Sequence, residues 1–356
     1  MNIEKNIALA SYTTFQLGGT AGYFCECTSV EDIKEAVAFA NAKKVTIHIL
    51  AGGSNTIFLD EGFPGLVLKI GIKGVSFRDD GSDSIADVKA GEEWDPFVHR
   101  CVESGYGGIE CLSGIPGSVG ATPIQNVGAY GQEVKDTIDE VTAIDVATMK
   151  IRTFHRSECF FSYRSSRFKT YDAGKYIITQ VSFRLKKQGR PTTGYPEVKK
   201  TIEKNVDIAS LSDGRESLTA VREIILSLRR KKSMVIDPAD PNTRSAGSFF
   251  TNPIVDNDQF AKISEIWSSI GDGTPVPSFS SEGNTKIPAA WLIEKSGFHK
   301  GYTSGGVGIS ENHTLALVNK GGTTKELLAL AEEIQSKVHS TFEVHLQREP
   351  VVIGER

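Results

Sequence analysis

The stretch SGIPGSVGATPIQNVGAYG (residues 113–131) decides how the rest of the chain is interpreted. Glycines recur at 114, 117 and 120, return at 128 and 131, and nearly all the other side chains are small or polar. No helical or strand period survives in it, and a structureless loop of this length is uncommon in a compact domain unless it is functional. We expect its backbone to wrap a large polar ligand such as a dinucleotide, and a glycine-rich surface loop is the alternative.

A second glycine-containing segment, AGGSNTIF (51–58), follows a predicted strand at 45–50. Successive backbone N–H groups in such a turn can hold a phosphate, although ordinary chain reversal uses the same pattern. Neither segment fits GxGxxG at a helix start or GxxxxGK[ST], which disfavours a Rossmann site and a P-loop.

Composition excludes several classes of protein. The 356 residues are 39% apolar and 24% charged, with a formal net charge of −4, so the chain is neither disordered nor basic enough to suggest nucleic-acid binding. Glycine is in excess, at 35 residues where the usual level of about 7% predicts roughly 25. Five cysteines without a CxxC pair, and histidines without ligand spacing, predict no disulfide framework and no metal. The start of the sequence has no signal-peptide pattern, so we expect a cytoplasmic protein without a membrane partner, and a monomer.

Hydrophobic patterning predicts an α+β protein with more strands than helices in its first half. Ser29 and Asp32 predict a capped helix start. The predicted helices are 29–43, 95–103, 218–232, 256–268, 288–296 and 323–340, and the predicted strands are 45–50, 65–70, 84–91, 141–146, 149–154, 176–185 and 314–320, with a terminal strand or strand pair.

Three further segments carry polar groups suited to chemistry. In SYRSSRFK (162–169), Arg164 could clamp a carboxylate or phosphate, and a solvated basic face is the simpler interpretation. In SAGSFFTNP (245–253), Ser248 could donate a proton or be a structural serine; the absence of a GxSxG elbow disfavours a serine hydrolase. In HLQREPVVIGE (345–355), Glu349 fits a surface ion pair as well as a carboxylate aimed into a cleft.

Taken in order, GGSN, IPGSVGATPIQNVGAYG, SYRSSRFK, AGSFFTNP and LQREPVVIG resemble the UDP-N-acetylenolpyruvoylglucosamine reductase (MurB) family, in the form with a tyrosine loop. The resemblance runs from TTFQLGG (13–19) to Gly354. It implies an FAD-binding region of the PCMH/vanillyl-alcohol-oxidase type made of two subdomains, plus a smaller α/β substrate-binding domain. The implied boundaries are 1–74 and 75–230 for the subdomains and 231–349 for the substrate-binding domain, with a strand at 350–356 returning to the first subdomain.

The resemblance also implies non-covalent FAD, with NADPH as reductant. FAD pyrophosphate is expected on Gly52, Gly53, Ser54 and Asn55, and the rest of the cofactor on Gly117, Ser118, Ala121, Thr122, Ile124, Asn126, Val127 and Gly128. By position, Arg164, Ser248 and Glu349 match the family's catalytic residues. Tyr195, Lys232 and Asn252 match substrate-binding positions, and Tyr130 and Lys286 complete that set.

The implied reaction is the reduction of UDP-N-acetylenolpyruvoylglucosamine to UDP-N-acetylmuramate for peptidoglycan. Hydride passes from flavin N5 to C3 of the enolpyruvyl group, and Ser248 protonates C2. Arg164 stabilises the developing enolate charge with protonated Glu349 as its hydrogen-bonding partner. Two alternatives remain: another FAD-dependent oxidoreductase on the same scaffold, and a non-enzymatic protein that binds UDP-sugars or nucleotides.

Overall fold

A computed structural model describes residues 1–205 and 207–354. Its α-helices are α1 Val30–Lys43, α2 Trp94–Glu103, α3 Pro196–Asn205, α4 Arg215–Arg230, α5 Asn257–Ile270, α6 Ala289–Lys295 and α7 Thr324–Phe342. Its strands are β1 Glu4–Ala8, β2 Thr20–Cys27, β3 Ile47–Leu50, β4 Thr56–Phe58, β5 Phe63–Ile70, β6 Val75–Asp80, β7 Asp83–Lys89, β8 Tyr106–Gly107, β9 Gly128–Ala129, β10 Gln132–Glu133, β11 Ile138–Asp145, β12 Ile151–His155, β13 Tyr176–Lys187, β14 Ile254–Val255, β15 Phe279–Ser281, β16 Asn284–Lys286, β17 Thr303–Ser304, β18 Val307–Ile309, β19 Leu317–Asn319 and β20 Val351–Ile353.

The chain divides into two compact units, each built from three segments. The first unit contains Met1–Ile7, Ala21–Gly53 and Pro64–Val235, and the second contains Ala8–Thr20, Ser54–Phe63 and the chain from Ile236 onward. The predicted domain boundaries after 74, 230 and 349 stay a prediction. Residue 206 of the predicted second subdomain, and residues 355 and 356 of the predicted returning strand, lie outside the described residues.

A four-stranded sheet in the order β1-β2-β5-β3 opens the first unit, with β3 and β5 parallel. Helix α1 follows β2, and its start confirms the predicted cap: the Ser29 hydroxyl accepts from the Asp32 N–H, and the Asp32 carboxylate accepts from the Ser29 N–H. Its buried face is Ile33, Ala36, Val37 and Ala40, which recur at the three- to four-residue spacing of a helix face.

A larger antiparallel sheet completes the first unit, in the order β12-β11-β13-β7-β6. The short strand β8 pairs with the C-terminal end of β13. Helix α2 buries Trp94 and Phe97, whose rings lie 5.8 Å and 5.3 Å from that of Phe183 on β13. Burying three aromatic rings fixes α2 firmly on the unit's core. This matters for function because α2 and the turn before it hold the glycine-rich loop.

The second unit has two small sheets, β14-β16-β15 and β17-β18-β19, and a parallel pair of β20 with β4. Helix α7 begins at a capping box in which Thr323 and Glu326 each satisfy the other's backbone N–H. Its buried stripe packs in one core with α5 and α6, around Trp267 and Phe342.

Helix α3 and several strands, among them β1, β2 and β6, were not predicted. The segment Val75–Asp80 forms β6, the hairpin partner of β7, although four of its six residues are exposed and polar or charged. Helix α3 was not predicted because its ten residues are strongly polar; the only local signal is Pro196 in its first turn. Across residues 1–205 and 207–354, none of the helices is long and apolar enough to span a bilayer. The same residues contain no cluster of three or more His, Cys, Asp or Glu side chains that could ligate a metal.

Candidate active site

The first half of the glycine-rich loop is held by backbone bonds to the start of α2. The Trp94 N–H donates to the Gly117 carbonyl at 3.0 Å, and the Val119 N–H donates to the Glu92 carbonyl at 2.8 Å. The Trp94 indole N–H also donates to the Leu112 carbonyl at 3.0 Å. The loop is therefore not a loosely held surface loop, because its backbone is bonded to a helix that packs in the core.

A partly buried ion pair fixes the entry of this loop. The Gly114 N–H donates to Asp95 Oδ1 at 2.6 Å, and the Arg222 guanidinium on α4 makes a two-point contact with the same carboxylate at 2.7 Å and 2.9 Å. Burial alone would raise the pKa of Asp95, but the hydrogen bonds from Arg222 and Gly114 hold it below its usual value. Asp95 is thus ionised and can hold both donors.

The two glycine segments predicted to bind one ligand lie against each other. A Cβ on Gly52 would lie 2.6 Å from Gly117 Cα and 2.9 Å from the Gly117 carbonyl carbon. Gly53 has φ +64°, a conformation that favours glycine. Next to this contact, the Ser118 hydroxyl oxygen is buried with no hydrogen-bond partner among the residues that the structure describes. Close backbones and an unsatisfied buried hydroxyl fit a polar ligand such as a pyrophosphate.

Other predicted cofactor positions form the turn that follows. Residues Val119–Ala121 make one turn of 3₁₀-helix, and the buried Thr122 hydroxyl donates to the Val119 carbonyl at 2.8 Å. The Val127 N–H then donates to the Thr122 carbonyl at 3.1 Å. These bonds give the polar loop a defined backbone.

The basic segment 162–169 is bound to the second half of the loop. The side chain of Asn126, which is fully buried, donates to the Ser162 carbonyl at 3.0 Å, and the Ser166 hydroxyl donates to the Ile124 carbonyl at 2.6 Å. Asn126 adopts φ +46°, which asparagine tolerates better than most residues. The alternative of a freely solvated basic face is therefore wrong for this segment.

Arg164 of this segment also bonds to the loop. Its Nη2 donates to the Gly128 carbonyl at 2.9 Å, and the Lys169 ammonium donates to the Arg164 carbonyl at 3.0 Å. Arg164 has φ +53°, a strained conformation for a long side chain that persists only where the surroundings enforce it. The fold thus holds a permanent positive charge beside Gly128.

The predicted substrate residues of the first unit also cluster. The rings of Tyr130 and Tyr195 meet edge to face at 5.4 Å, and Lys232 Nζ lies 5.7 Å from the Tyr130 ring centre. Lys232 is paired with Glu197 of α3 at 2.6 Å. Burial raises the pKa of Tyr130 to about 12, and burial also raises the pKa of Tyr195, so both phenols are neutral donors at physiological pH.

In the second unit, Ser248 and Glu349 lie on adjacent antiparallel segments. The Glu349 N–H donates to the Phe249 carbonyl at 2.8 Å, and the Thr251 N–H donates to the Gln347 carbonyl at 3.0 Å. Phe249 is completely buried and packs against Phe15 at 6.1 Å, which anchors the segment that carries Ser248. The hydroxyl and the carboxylate are thereby carried by neighbouring antiparallel segments of one core.

Asn55 joins the same pair of segments. Its side-chain amide donates to the Glu349 carbonyl at 3.1 Å, and the Val351 N–H donates to the Asn55 carbonyl at 3.0 Å. Ser54 precedes Asn55 at the start of this part of the second unit. The bonds on both sides of Pro350 keep Glu349 in place beside Asn55.

The remaining two predicted residues lie at another part of the second unit. The Asn252 side-chain oxygen accepts from the Ala289 N–H at 2.9 Å, which places it at the start of α6. Lys286 on β16 pairs with Ile254 on β14, two residues along the chain from Asn252. The predicted substrate residues therefore form two groups: Tyr130, Tyr195 and Lys232 in the first unit, and Asn252 and Lys286 in the second.

Comparison with known proteins gives the class first. Residues 21–154 match the family model of an FAD binding domain, and residues 238–353 match that of the UDP-N-acetylenolpyruvoylglucosamine reductase C-terminal domain. These matches place the chain among flavin-dependent oxidoreductases and confirm the predicted α+β class.

Relatives then give the family. The chain is 46% identical to UDP-N-acetylenolpyruvoylglucosamine reductase of Thermobifida fusca over 99% of this chain and 98% of that protein. It is 38% identical to the reductase of Mycobacterium tuberculosis, over 99% and 96% of the two chains. The chain therefore belongs to the UDP-N-acetylenolpyruvoylglucosamine reductase family, as its motifs predicted. The crystal structure of the reductase from Thermus caldophilus has the same fold, with a TM-score of 0.67, 23% identity and 99% of both chains covered.

The sequence analysis did not identify the residues whose hydrogen bonds support the segments of this site. Asp95 and Arg222 are far apart in the chain, and only the fold pairs them. Glu110, just before the loop in sequence, is fully buried. The sequence did indicate this residue, because it is a single acidic side chain among the apolar residues Ile109, Cys111 and Leu112. A charged residue in such a setting is rarely buried without a set of hydrogen-bond donors.

Proposed function

We propose that this protein uses FAD and NADPH to reduce UDP-N-acetylenolpyruvoylglucosamine to UDP-N-acetylmuramate, a precursor of peptidoglycan. The observation that carries the proposal is the likeness to reductases of this name along 99% of the chain. The local geometry supports it, because the segments that carry the predicted residues are ordered by specific bonds within each unit.

FAD fits the residues proposed to hold it. The tight contact of Gly52 with Gly117 leaves no room for side chains there, and the Ser118 hydroxyl is buried without a partner in the described part of the chain. We assign the pyrophosphate to Gly52, Gly53, Ser54 and Asn55, and the remainder of the cofactor to the loop residues Gly117, Ser118, Ala121, Thr122, Ile124, Asn126, Val127 and Gly128. When bound, FAD supplies a two-electron carrier that is reduced by NADPH and oxidised by a conjugated alkene.

Arg164 is proposed to stabilise the charge that develops during the reduction. The substrate's double bond is conjugated to a carboxylate, so addition of hydride at C3 places negative charge on that carboxylate as an enolate. A guanidinium is permanently cationic and presents two parallel donors to a carboxylate. The bond from Arg164 to the Gly128 carbonyl and its positive φ fix the group before substrate binds.

Ser248 and Glu349 are proposed to complete the reaction. The Ser248 hydroxyl transfers its proton to C2, which converts the enolate to the lactyl ether, and it regains a proton from water. Protonated Glu349 donates a hydrogen bond to the substrate carboxylate as its charge increases. The pairing of Glu349 with Phe249 keeps both groups on one rigid part of the second unit.

The substrate residues are assigned by chemistry. Lys232 and Lys286 supply positive charge for the diphosphate, and Tyr130, Tyr195 and Asn252 supply neutral donors. The enzyme is proposed to be a cytoplasmic monomer in which NADPH and the nucleotide sugar use one pocket in turn.

Two half-reactions test the proposal. FAD-loaded protein is reduced by NADPH without oxygen, and UDP-N-acetylenolpyruvoylglucosamine is then added while flavin absorbance is followed. We expect reoxidation by the substrate, and its absence would reject the function. Ser248→Ala should be reduced by NADPH at the wild-type rate while its reoxidation slows by about 10²-fold or more, because only the second step needs the proton. Equal losses in both steps would reject the role of Ser248 as proton donor.

A further inference from the structure

Glu110 is a fully buried carboxylate in the 3₁₀ turn Glu110–Leu112, below the glycine-rich loop. Its Oε2 accepts from the Gly108 N–H at 2.8 Å, and its Oε1 accepts from the Gln132 side-chain amide and the Thr192 N–H, both at 2.7 Å. Among residues 1–205 and 207–354, no ion pair joins Glu110 to a lysine or arginine. The carboxylate is satisfied by neutral donors alone.

Gln132 makes this arrangement a network with five members. Its side-chain oxygen accepts from the Cys111 N–H at 2.7 Å, and its amide also donates to the Thr192 hydroxyl at 3.0 Å. The Cys111 thiol donates to the Thr192 carbonyl at 3.3 Å. Thr192 is therefore bound through its N–H, hydroxyl and carbonyl, all to residues of the turn and of Gln132.

The network is close in sequence to both tyrosines of the proposed substrate site. Tyr130 precedes Gln132 by two residues, and Tyr195 follows Thr192 by three. The two rings meet at 5.4 Å although Tyr195 is 41% exposed, so the segments on both sides of Tyr195 help to hold its ring in this position. On the C-terminal side the Tyr195 carbonyl accepts from the Lys199 N–H of α3 at 2.8 Å, and on the N-terminal side the bonds of Thr192 attach the segment to Glu110 and Gln132.

We propose that Glu110, Gln132 and Thr192 are positioning residues that hold the Tyr195 segment against Tyr130 and thereby set the affinity for the nucleotide sugar. This inference rests on the proposed function, because it takes the tyrosine pair as part of the substrate site. A segment ordered before binding loses less conformational entropy when the substrate arrives. A carboxylate suits this task because hydrogen bonds to a charged acceptor are about twice as strong as neutral ones.

Two variants separate positioning from folding. Glu110→Gln keeps the size of the side chain but turns an amide N–H towards the Gly108 N–H, so the network loses a bond and the protein loses some stability. Thr192→Val removes only the hydroxyl that accepts from Gln132 and leaves Glu110 and the core intact. Thr193→Val is the matched control, since Thr193 is the neighbouring threonine and takes no part in the network.

The experiment measures each substrate separately. Hydrogen–deuterium exchange of the peptide 190–196 reports whether the segment is loosened, and stopped-flow flavin absorbance gives the dissociation constant for UDP-N-acetylenolpyruvoylglucosamine and the rate of reduction by NADPH. For Thr192→Val we expect faster exchange and roughly two- to tenfold weaker sugar binding, which corresponds to one hydrogen bond. Glu110→Gln should weaken sugar binding at least as much. The rate of flavin reduction by saturating NADPH and that of reoxidation by saturating sugar should stay within about twofold of wild type.

The outcomes separate the two proposals. If the nucleotide sugar does not reoxidise the flavin of the wild-type protein, the proposed function is rejected, and this inference is rejected with it. Wild-type turnover together with unchanged sugar affinity in both variants rejects the positioning role alone. An equal loss in the NADPH step, or the same weakening in Thr193→Val, also overturns it, because a purely structural defect would affect both substrates and both threonines.

Discussion

Replacement of Gly52 by alanine tests whether the two glycine segments form one wall of the cofactor site. The added Cβ would lie 2.6 Å from Gly117 Cα, 2.9 Å from the Gly117 carbonyl carbon and 3.2 Å from the Ser118 nitrogen. Carbon atoms in contact are normally about 3.5–4.0 Å apart, so one segment must move by about 1 Å. These three nearest neighbours are backbone atoms, which cannot turn aside as the end of a flexible side chain can.

The size of the effect follows from that displacement. Overpacking of this kind typically costs about 1–3 kcal/mol. If FAD needs the undisplaced loop, the cost appears in binding as a roughly five- to 150-fold increase in the dissociation constant for FAD. Titration of the apoprotein with FAD, followed by quenching of flavin fluorescence, measures this constant.

A matched control and the apoprotein distinguish the explanations. Gly194→Ala adds a methyl group where nothing lies within 4 Å, so its affinity for FAD should equal that of wild type. Urea unfolding of the apoproteins shows whether Gly52→Ala also lowers the free energy of unfolding. If Gly52→Ala binds FAD as tightly as wild type, the contact with Gly117 is no part of the cofactor site and our reasoning fails.

Three further changes test other parts of the first unit. Arg222→Leu leaves the Asp95 carboxylate without its cation. Because Asp95 is about one-third exposed, we expect the free energy of unfolding in urea to fall by about 3 kcal/mol, near the lower end of the usual range for buried pairs. A decrease of less than about 0.5 kcal/mol would contradict a structural role for the pair. Burial raises the pKa of Tyr130 from 10.0 to about 12, so the unfolded chain loses this proton first and stability falls as pH rises from 10 to 12. In Tyr130→Phe the melting temperature should fall less steeply over this pH range. An identical dependence of melting temperature on pH would refute the raised pKa of Tyr130. Arg164→Lys should slow flavin reoxidation by about 10²–10³-fold while NADPH still reduces the flavin, because an ammonium lacks the planar pair of donors; wild-type reoxidation rates in stopped flow would remove Arg164 from the chemistry.

Local patterns predicted all the α-helices of the described residues except α3, and they located the segments that we propose as the site. The cap at Ser29 and Asp32 predicted the start of α1, and the glycine spacing predicted a ligand-binding loop that the structure places against Gly52. These features depend on residues that are close in sequence, where capping and periodicity act directly.

The supporting residues could not be found in that way. Asp95 and Arg222 meet across 127 positions of sequence, and Thr192 meets Glu110 across 82. Such pairs depend on which helices and loops pack together, and no window of sequence contains that information. Helix α3 was missed for a related reason: its polar sequence has little periodicity of its own, and its contacts with α4 help to stabilise it.

The pairing of β20 with β4 has a consequence for the order in which the protein folds. As the chain leaves the ribosome, every segment of the first unit is available once Val235 has emerged. The second unit must wait, because β4 is synthesised before most of the first unit but its partner Val351–Ile353 is synthesised after all of it. Residues 8–20 and 54–63 therefore lack their partner until Val351–Ile353 is made, and side chains that the folded unit buries, such as Phe15 and Phe58, are open to aggregation during that time.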